Sequence, residues 1–237
     1  MERVFIGQRT AANRRNGRRR LASVAALPLL ALALTLPLAA CGESSQRFVS
    51  NRSLGTFFRL PDGWPTEDLT EASKEGRVEE LPSGIQTLWH QAFGSGDPAS
   101  IDAAGLPDEV VGQARVYAVS DYYRETFSLS SLRSSIFLLN VDPVYPPESI
   151  DSQQNRLVDY RPLEMGEGLT GSRVVANLDT DPADEGEAWV TQDVTILFDD
   201  AVGRVYVLSL YCSGPCYERN RSDIDRVVGS FMVRNDI

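Results

Sequence analysis

The sequence predicts an α+β fold in which helices flank an antiparallel β-sheet. Most apolar segments are short, rich in β-branched and aromatic residues, and separated by Gly, Pro and Asp turns, which is typical of strands. Few segments carry the apolar spacing of helices, so strands and helices do not alternate as they do in parallel α/β proteins. The run 205–211 is apolar at nearly every position, which indicates a central strand with helices over both faces of the sheet.

Six strands are expected from the alternation and content of these segments. They are, in chain order, 56–60, 85–93, 111–119, 173–178, 190–198 and 205–211. An acidic hairpin joins the fourth strand to the fifth, and the turn at 199–203 joins the fifth to the sixth.

Two helices are predicted. Ser128 or Ser130 would cap the first, which carries apolar residues on one side (Leu129, Leu132, Ile136 and Leu139). Ser222 and Asp225 form a capping box for the second. Its apolar residues follow helical spacing (Ile224, Val227, Val228 and Phe231).

The first 40 residues differ from the rest of the chain. A block of arginines precedes the uncharged, Leu- and Ala-rich stretch 21–40, which is the pattern of an export signal. The sequence Leu38-Ala39-Ala40-Cys41 closes this stretch and resembles the lipobox of bacterial lipoproteins. That resemblance implies a diacylglyceryl group on Cys41, which becomes the new N-terminus and anchors the chain to the extracytoplasmic face of the cell membrane.

Two questions about this leader stay open. An uncleaved transmembrane helix is the alternative to a cleaved signal, since about 20 apolar residues can span a bilayer; Pro28 and Pro37 disfavour it. Export by the general secretory route is favoured over the twin-arginine route, because the residues after the arginine pairs fit a twin-arginine signal only loosely.

The charge of the chain changes sharply once the leader is removed. Residues 1–40 hold seven arginines and one glutamate, so a net charge of −10 for the whole chain becomes −16 for residues 41–237. Such a surface repels phosphate backbones, which excludes nucleic acid as a partner, and favours basic partners. It also predicts that the protein stands off the membrane on its lipid.

The mature chain is divided into a tether and one domain. Residues 41–53 are polar and lack periodicity, so a flexible lipid-anchored tether is expected there. Residues 54–237 are enough for one core. This domain is similar to PsbP-like domains, both in the opening strand that runs into Pro61-Asp62-Gly63-Trp64 and in the closing helix followed by Ser230 to Val233. The resemblance, to lipid-anchored actinobacterial proteins of the LpqN type, implies an α/β/α sandwich without known catalytic residues.

Cys212 and Cys216 are the remaining cysteines. In an oxidising compartment a structural disulfide is favoured, because Gly214 and Pro215 supply a turn between them. The second hypothesis is a redox-active pair, although thioredoxin motifs have two residues between their cysteines and this sequence has three. A metal site is the third, as in copper-carrying lipoproteins, but the chain has a single imidazole, His90, to complete it.

The other residues that could carry chemistry are weak candidates. His90 is expected to be a buried, hydrogen-bonded residue on the face of its strand with Leu88 and Ala92, and no nucleophile–base pair is expected around it. Trp64, Trp89 and Trp189 could line a ligand cleft but are more typical of a core. 

A glycine-rich segment and an acidic segment resemble ligand-binding motifs but are more simply interpreted as turns. Residues 166–171 match G-x-G-x-x-G, but a β-type segment follows instead of a helix, so a turn is expected. Residues 179–187 hold five carboxylates that depart from the EF-hand pattern, so a solvated hairpin is favoured over weak cation binding.

The sequence therefore predicts a monomeric, non-catalytic binding or assembly module of the cell envelope. No cofactor or metal is expected, and an unidentified envelope protein or small ligand is the expected partner. The alternative is an extracytoplasmic thiol-disulfide or metal-handling protein that uses Cys212 and Cys216.

Overall fold

The computed structural model describes residues 45–78, 81, 83–98, 108–126, 155–164, 168–179 and 189–234. Cys41 and the apolar leader, the first predicted helix over 128–139 and the acidic residues 180–187 lie outside the described residues. In the described part of the chain, no helix is long and apolar enough to cross a membrane.

The described residues form two antiparallel sheets and a few helices, and all six predicted strands are present. The elements in chain order are β1 (Gln46–Asn51), β2 (Thr56–Pro61), β3 (Thr66–Asp68), α1 (Thr70–Lys74), β4 (Ile85–Gly94), β5 (Val111–Val119), α2 (Asp121–Thr126), β6 (Asn155–Glu164), β7 (Leu169–Asp179), β8 (Trp189–Asp199), β9 (Arg204–Ser213), α3 (Gly214–Gly229) and β10 (Met232–Val233).

The larger sheet has the strand order β3-β4-β5-β9-β8-β7-β6, and each neighbouring pair is antiparallel. The prediction that 205–211 forms the central strand is confirmed, because β9 is the fourth of the seven strands. The smaller sheet has the order β1-β2-β10 and is also antiparallel.

Two apolar clusters lie on opposite faces of the larger sheet. Alternate residues of β9, such as Tyr206 and Leu208, join the first cluster together with α3 and the inner side of the smaller sheet. Val205 and Val207 point the other way and join the second cluster. Because successive side chains of a strand alternate between faces, this continuous apolar run is explained by burial on both sides. We call the α3 side the first face and the other side the second face.

The helix predicted from Ser222 begins two turns earlier than expected. The Ser213 hydroxyl caps α3 by accepting from the Cys216 N–H at 3.3 Å, and Pro215 occupies the first turn, where its missing N–H costs nothing. Gly214 and Pro215 thus start a helix rather than form a turn between strand and helix. Ser222 lies inside α3, where its side chain and carbonyl accept from Arg226.

The expected tether is also partly wrong. Residues 46–51 pair along β2 as strand β1, and residues 52–54 form a 3₁₀ turn. Strand β1 therefore lies only five residues after Cys41 in the chain, in a segment without the apolar alternation that predicts a strand.

Candidate functional site

A groove of about 580 Å³ opens on the first face of the larger sheet. Its floor is formed by β6, β7 and β8, and one wall is the N-terminal half of α3. The sheet is wider than the helix that covers it, so the strands beyond α3 remain accessible. This groove is the candidate ligand site.

An ionic network forms the floor of the groove. The Asp193 carboxylate is 0% exposed and accepts from Arg173 Nε at 2.9 Å and from Arg173 Nη2 at 2.5 Å. Tyr217 donates its hydroxyl to the same carboxylate at 2.9 Å, and Asp225 accepts from Arg173 Nη2 at 3.0 Å. The bidentate geometry and the third donor satisfy a carboxylate that would otherwise be costly to bury.

Arg173 and Tyr217 stay protonated at neutral pH. Hydrogen bonding to Asp193 raises the pKa of Arg173 further above its usual value. Burial, and then the charge of Asp193, raises the pKa of Tyr217 above its usual value. Because a general acid or base needs a pKa near the working pH, Arg173 and Tyr217 are poorly suited to transfer protons at neutral pH.

The walls of the groove carry paired charges. Arg161 pairs with Asp159 at 2.8 Å, and Arg221 pairs with Glu218 at 3.6 Å. With the floor network included, the described residues of the groove are three arginines and four carboxylates, a net charge of −1. These described residues are therefore close to neutral as a set.

Trp189 forms one corner of the groove because Gly214 leaves room for it. Trp189 begins β8 and Gly214 begins α3, and a Cβ atom at Gly214 would clash with the Trp189 indole. The indole thus packs directly against the backbone at the start of the helix. Trp64 and Trp89 instead lie in the first apolar cluster at 7% and 6% exposure, so the core interpretation is confirmed for those two and is wrong for Trp189.

Cys212 and Cys216 lie at disulfide distance, with their Cα atoms 5.8 Å apart, within the usual range for a disulfide. Both side chains are 0% exposed and belong to the first apolar cluster. A thiol–disulfide exchange partner has to reach a sulfur atom, so this burial favours a structural bridge at the junction of β9 and α3.

His90 lies in a buried polar cluster on the second face. Its side chain is 1% exposed, and its Nδ1 lies 2.5 Å from Ser73 Oγ of α1. Its Nε2 lies 3.2 Å from Gln113 Oε1 and 3.2 Å from Arg115 Nε. The expectation of a buried, hydrogen-bonded histidine is confirmed. Leu88, expected on the same face, packs against the first cluster, because a bulge between Thr87 and Trp89 shifts the strand.

Ser73 places a hydroxyl beside this imidazole, a contact that the sequence pattern does not indicate. Nε2 lies between a group that can only donate, Arg115 Nε, and an oxygen that can only accept, Gln113 Oε1. These two contacts require opposite tautomers of the neutral ring, and the tautomer sets the direction of the Ser73–His90 hydrogen bond. The expectation that no nucleophile–base pair forms around His90 stays a prediction.

Metal binding finds no support in the described residues. No group of three or more His, Cys, Asp or Glu side chains there is arranged to hold a metal ion. His90 and the two cysteines lie on opposite faces of the larger sheet, so the copper-site arrangement of two cysteines with His90 does not form.

The glycine motif leads into a strand, as expected. Gly168 has a φ of +83° and β7 begins at Leu169, so no helix N-terminus follows to hold a pyrophosphate. Residues 165–167 lie outside the described residues.

Sequence reasoning missed the floor network. Its one local signal was Asp193, a charged residue in the middle of a segment expected to be a strand between two others, where a charge needs a partner. The partners Arg173 and Tyr217 are 20 and 24 residues away, and only the sheet register and the early start of α3 bring them together.

Comparisons with known proteins give structural similarity alone. No protein-family model and no curated protein matches the chain. The solution structure of cyanobacterial PsbP from Synechocystis sp. PCC 6803 is 17% identical, covers 84% of this chain and 99% of its own, and has a TM-score of 0.46. The Saccharomyces cerevisiae Ran-binding protein Mog1p is 10% identical, covers 80% of this chain and 96% of its own, and has a TM-score of 0.42.

Proposed function

We propose that this chain is a lipid-anchored, extracytoplasmic lipoprotein that binds a ligand or partner and catalyses no reaction. The observation that carries the anchor is Cys41, which directly follows the apolar stretch in a lipobox-like sequence. Two acyl chains hold a protein on a membrane far more firmly than one. The proposal includes a PsbP-like domain of the LpqN type, as in actinobacterial lipoproteins, acting as a monomer.

Metabolic labelling with an alkyne fatty acid tests the anchor. We expect the wild-type chain to be labelled and Cys41→Ala to lose the label, because the thiol is the acceptor. Cys212→Ser is the matched control, since it removes another cysteine and should keep the label. Equal labelling of wild type and Cys41→Ala would rule the anchor out.

The groove beside α3 is the proposed binding site. Hydrogen bonds hold its floor network in place, and its described residues carry a net charge of −1. It also offers the Trp189 indole, the Asn177 amide and the Thr191 hydroxyl. An aromatic side chain beside a few placed polar groups is typical of small-molecule sites. These groups fit an uncharged or cationic ligand rich in hydroxyl groups better than an anion.

A melting-temperature screen tests the groove. Neutral oligosaccharides and aminosugars are the probes, with inorganic phosphate as the anionic comparison. A bound ligand at ten times its Kd stabilises the fold by about 1.4 kcal/mol, and we expect this shift to disappear in Trp189→Ala. Tyr122→Ala is the control, because Tyr122 is 71% exposed and does not line the groove. A shift that persists in Trp189→Ala would place binding elsewhere.

A further inference from the structure

The outward side of the smaller sheet combines exposed apolar and basic side chains. Outward positions of β1, β2 and β10 include Phe48, which is 68% exposed, and Met232, which is 39% exposed. Arg59 pairs with Phe48 across the strands and places its guanidinium carbon 4.8 Å from the centre of that ring. We call this surface the outer face; its inward side, which includes Phe58, packs into the first apolar cluster.

A second cation–aromatic pair lies on the same face. The Arg234 guanidinium carbon is 5.8 Å from the centre of the Phe57 ring, and Phe57 lies opposite Met232 in the register. Aromatic side chains prefer the boundary between water and lipid. Arginine also suits this boundary, because its apolar stem can lie along an aromatic ring while its guanidinium stays in water.

The charge of the outer face is opposite to that of the whole mature chain. The outward positions of β1, β2 and β10 hold no Asp or Glu. The neighbouring acids along the chain are Glu43 before β1, Asp62 in the turn after β2 and Asp236 after Arg234. By contrast, residues 41–237 carry a net charge of −16. A local excess of arginine on an acidic protein indicates a surface selected for an anionic counterpart.

The outer face is also tied closely to the proposed anchor. Only four residues separate Cys41 from Gln46, the first residue of β1. Fully extended, that connection spans about 17 Å, which is roughly half the thickness of the hydrocarbon core of a bilayer. A lipid on Cys41 therefore holds the smaller sheet within reach of the headgroups.

From these observations we infer that the outer face docks on the membrane surface, with Phe48 and Met232 in the headgroup boundary and Arg59 and Arg234 against anionic headgroups. The inference rests on the proposed lipid anchor. It reverses the expectation that the acidic protein stands off the membrane, because the local charge of the docking surface acts over a Debye length of about 8–10 Å while the remaining charge lies farther away.

Photolabelling of the full mature chain in vesicles tests this orientation. The chain is exported, purified and reconstituted into phosphatidylcholine vesicles that contain 30% phosphatidylglycerol and a diazirine phospholipid, on the order of one probe in fifty lipids. We expect label on peptides that contain Phe48 and Met232, and little on the turn that contains Val202, which is apolar and 53% exposed. Phe48→Ser combined with Arg59→Gln should lower outer-face labelling at least fivefold, about the contribution of one arginine at an anionic surface. Val202→Ser is the matched control and should change nothing.

The outcomes separate the docking from the anchor. The intact mass of the purified chain shows whether Cys41 is acylated. An acylated chain whose outer face is labelled no more than the Val202 turn would overturn the docking and leave the anchor standing. An unacylated chain whose outer face is still labelled would overturn the anchor and support the docking. A parallel sample of the same vesicles is treated with a bifunctional cross-linker in place of the lipid probe; links between the outer faces of two chains would show that a second copy covers this surface, and would also overturn the docking.

Discussion

Protonation of His90 is expected to make this fold sensitive to mild acid. The imidazole is buried on the second face between Ser73 and Gln113, and Arg115 contacts its Nε2. Burial, and then the charge of Arg115, lowers the pKa of His90 from 6.5 to about 3. His90→Gln removes the titrating ring and retains a polar side chain, so it isolates the contribution of this group.

The sign of the effect follows from proton uptake. Below pH 6.5 His90 is mostly protonated in the unfolded chain but stays neutral in the folded chain. The contribution of this group to the free energy of unfolding is therefore present above pH 6.5 and is lost as the pH falls towards 3. Between pH 7.5 and pH 5 the free energy of unfolding should fall by about 2 kcal/mol. In a domain of this size that corresponds to a melting temperature about 6 °C lower.

Urea denaturation followed by circular dichroism at four pH values between 7.5 and 5 measures this loss. We expect the wild type to lose about 2 kcal/mol more than His90→Gln over this range, whatever the stability of the variant at pH 7.5. Parallel pH profiles for the two proteins would refute the reasoning. If the variant does not fold, an NMR titration of the imidazole protons in the wild type tests the same reasoning. A ring that titrates near pH 6.5 in the folded protein would contradict the assigned environment.

Other substitutions test the groove and the disulfide. Asp193→Ala leaves the Arg173 guanidinium with Asp225 alone and removes the acceptor of the Tyr217 hydroxyl, and it should cost about 3–5 kcal/mol; urea denaturation measures it, and an unchanged midpoint would show that the floor network does not support the fold. Gly214→Ala should lower the melting temperature, because the new methyl group clashes with a neighbouring indole, whereas Gly229→Ala meets no atom within 4 Å and should not lower it, since alanine favours a helix over glycine; equal melting temperatures of the two variants would contradict the packing. Cys212 and Cys216 should show no free thiol in denatured exported protein, and reduction should remove about 2 kcal/mol of stability; thiol counts near two would dismiss the bridge.

Features that depend on local pattern could be read from the sequence. The central position of β9 follows from the apolar run at 205–211, because a strand that is covered on both faces carries apolar residues at nearly every position. The β8–β9 turn follows from Asp199 to Gly203: the Asp199 carboxylate accepts from two backbone N–H groups and Gly203 adopts a φ of +60°. Both signals lie within a few residues of the structure that they specify.

The start of α3 and the strand β1 were decided by tertiary structure. Ser213 and Ser222 could each cap a helix. The helix begins after Ser213 because β9 ends there, and a helix that starts at this point places Cys216 and Tyr217 in the first apolar cluster. The 46–51 segment has no apolar alternation, but pairing with β2 satisfies its backbone groups. Neither choice is visible in a short window of sequence.

The candidate site could be predicted least. Asp193, Arg173 and Tyr217 occur on three elements, and their meeting depends on the antiparallel register of β7 with β8 and on two extra turns of α3. The sequence by itself determined six of the ten described strands and the central position of β9, since hydrophobic periodicity and turn chemistry act locally. The tertiary structure decided the groove and the neighbours of His90, because a buried charge or imidazole is defined by partners that only the packed chain brings within hydrogen-bond distance.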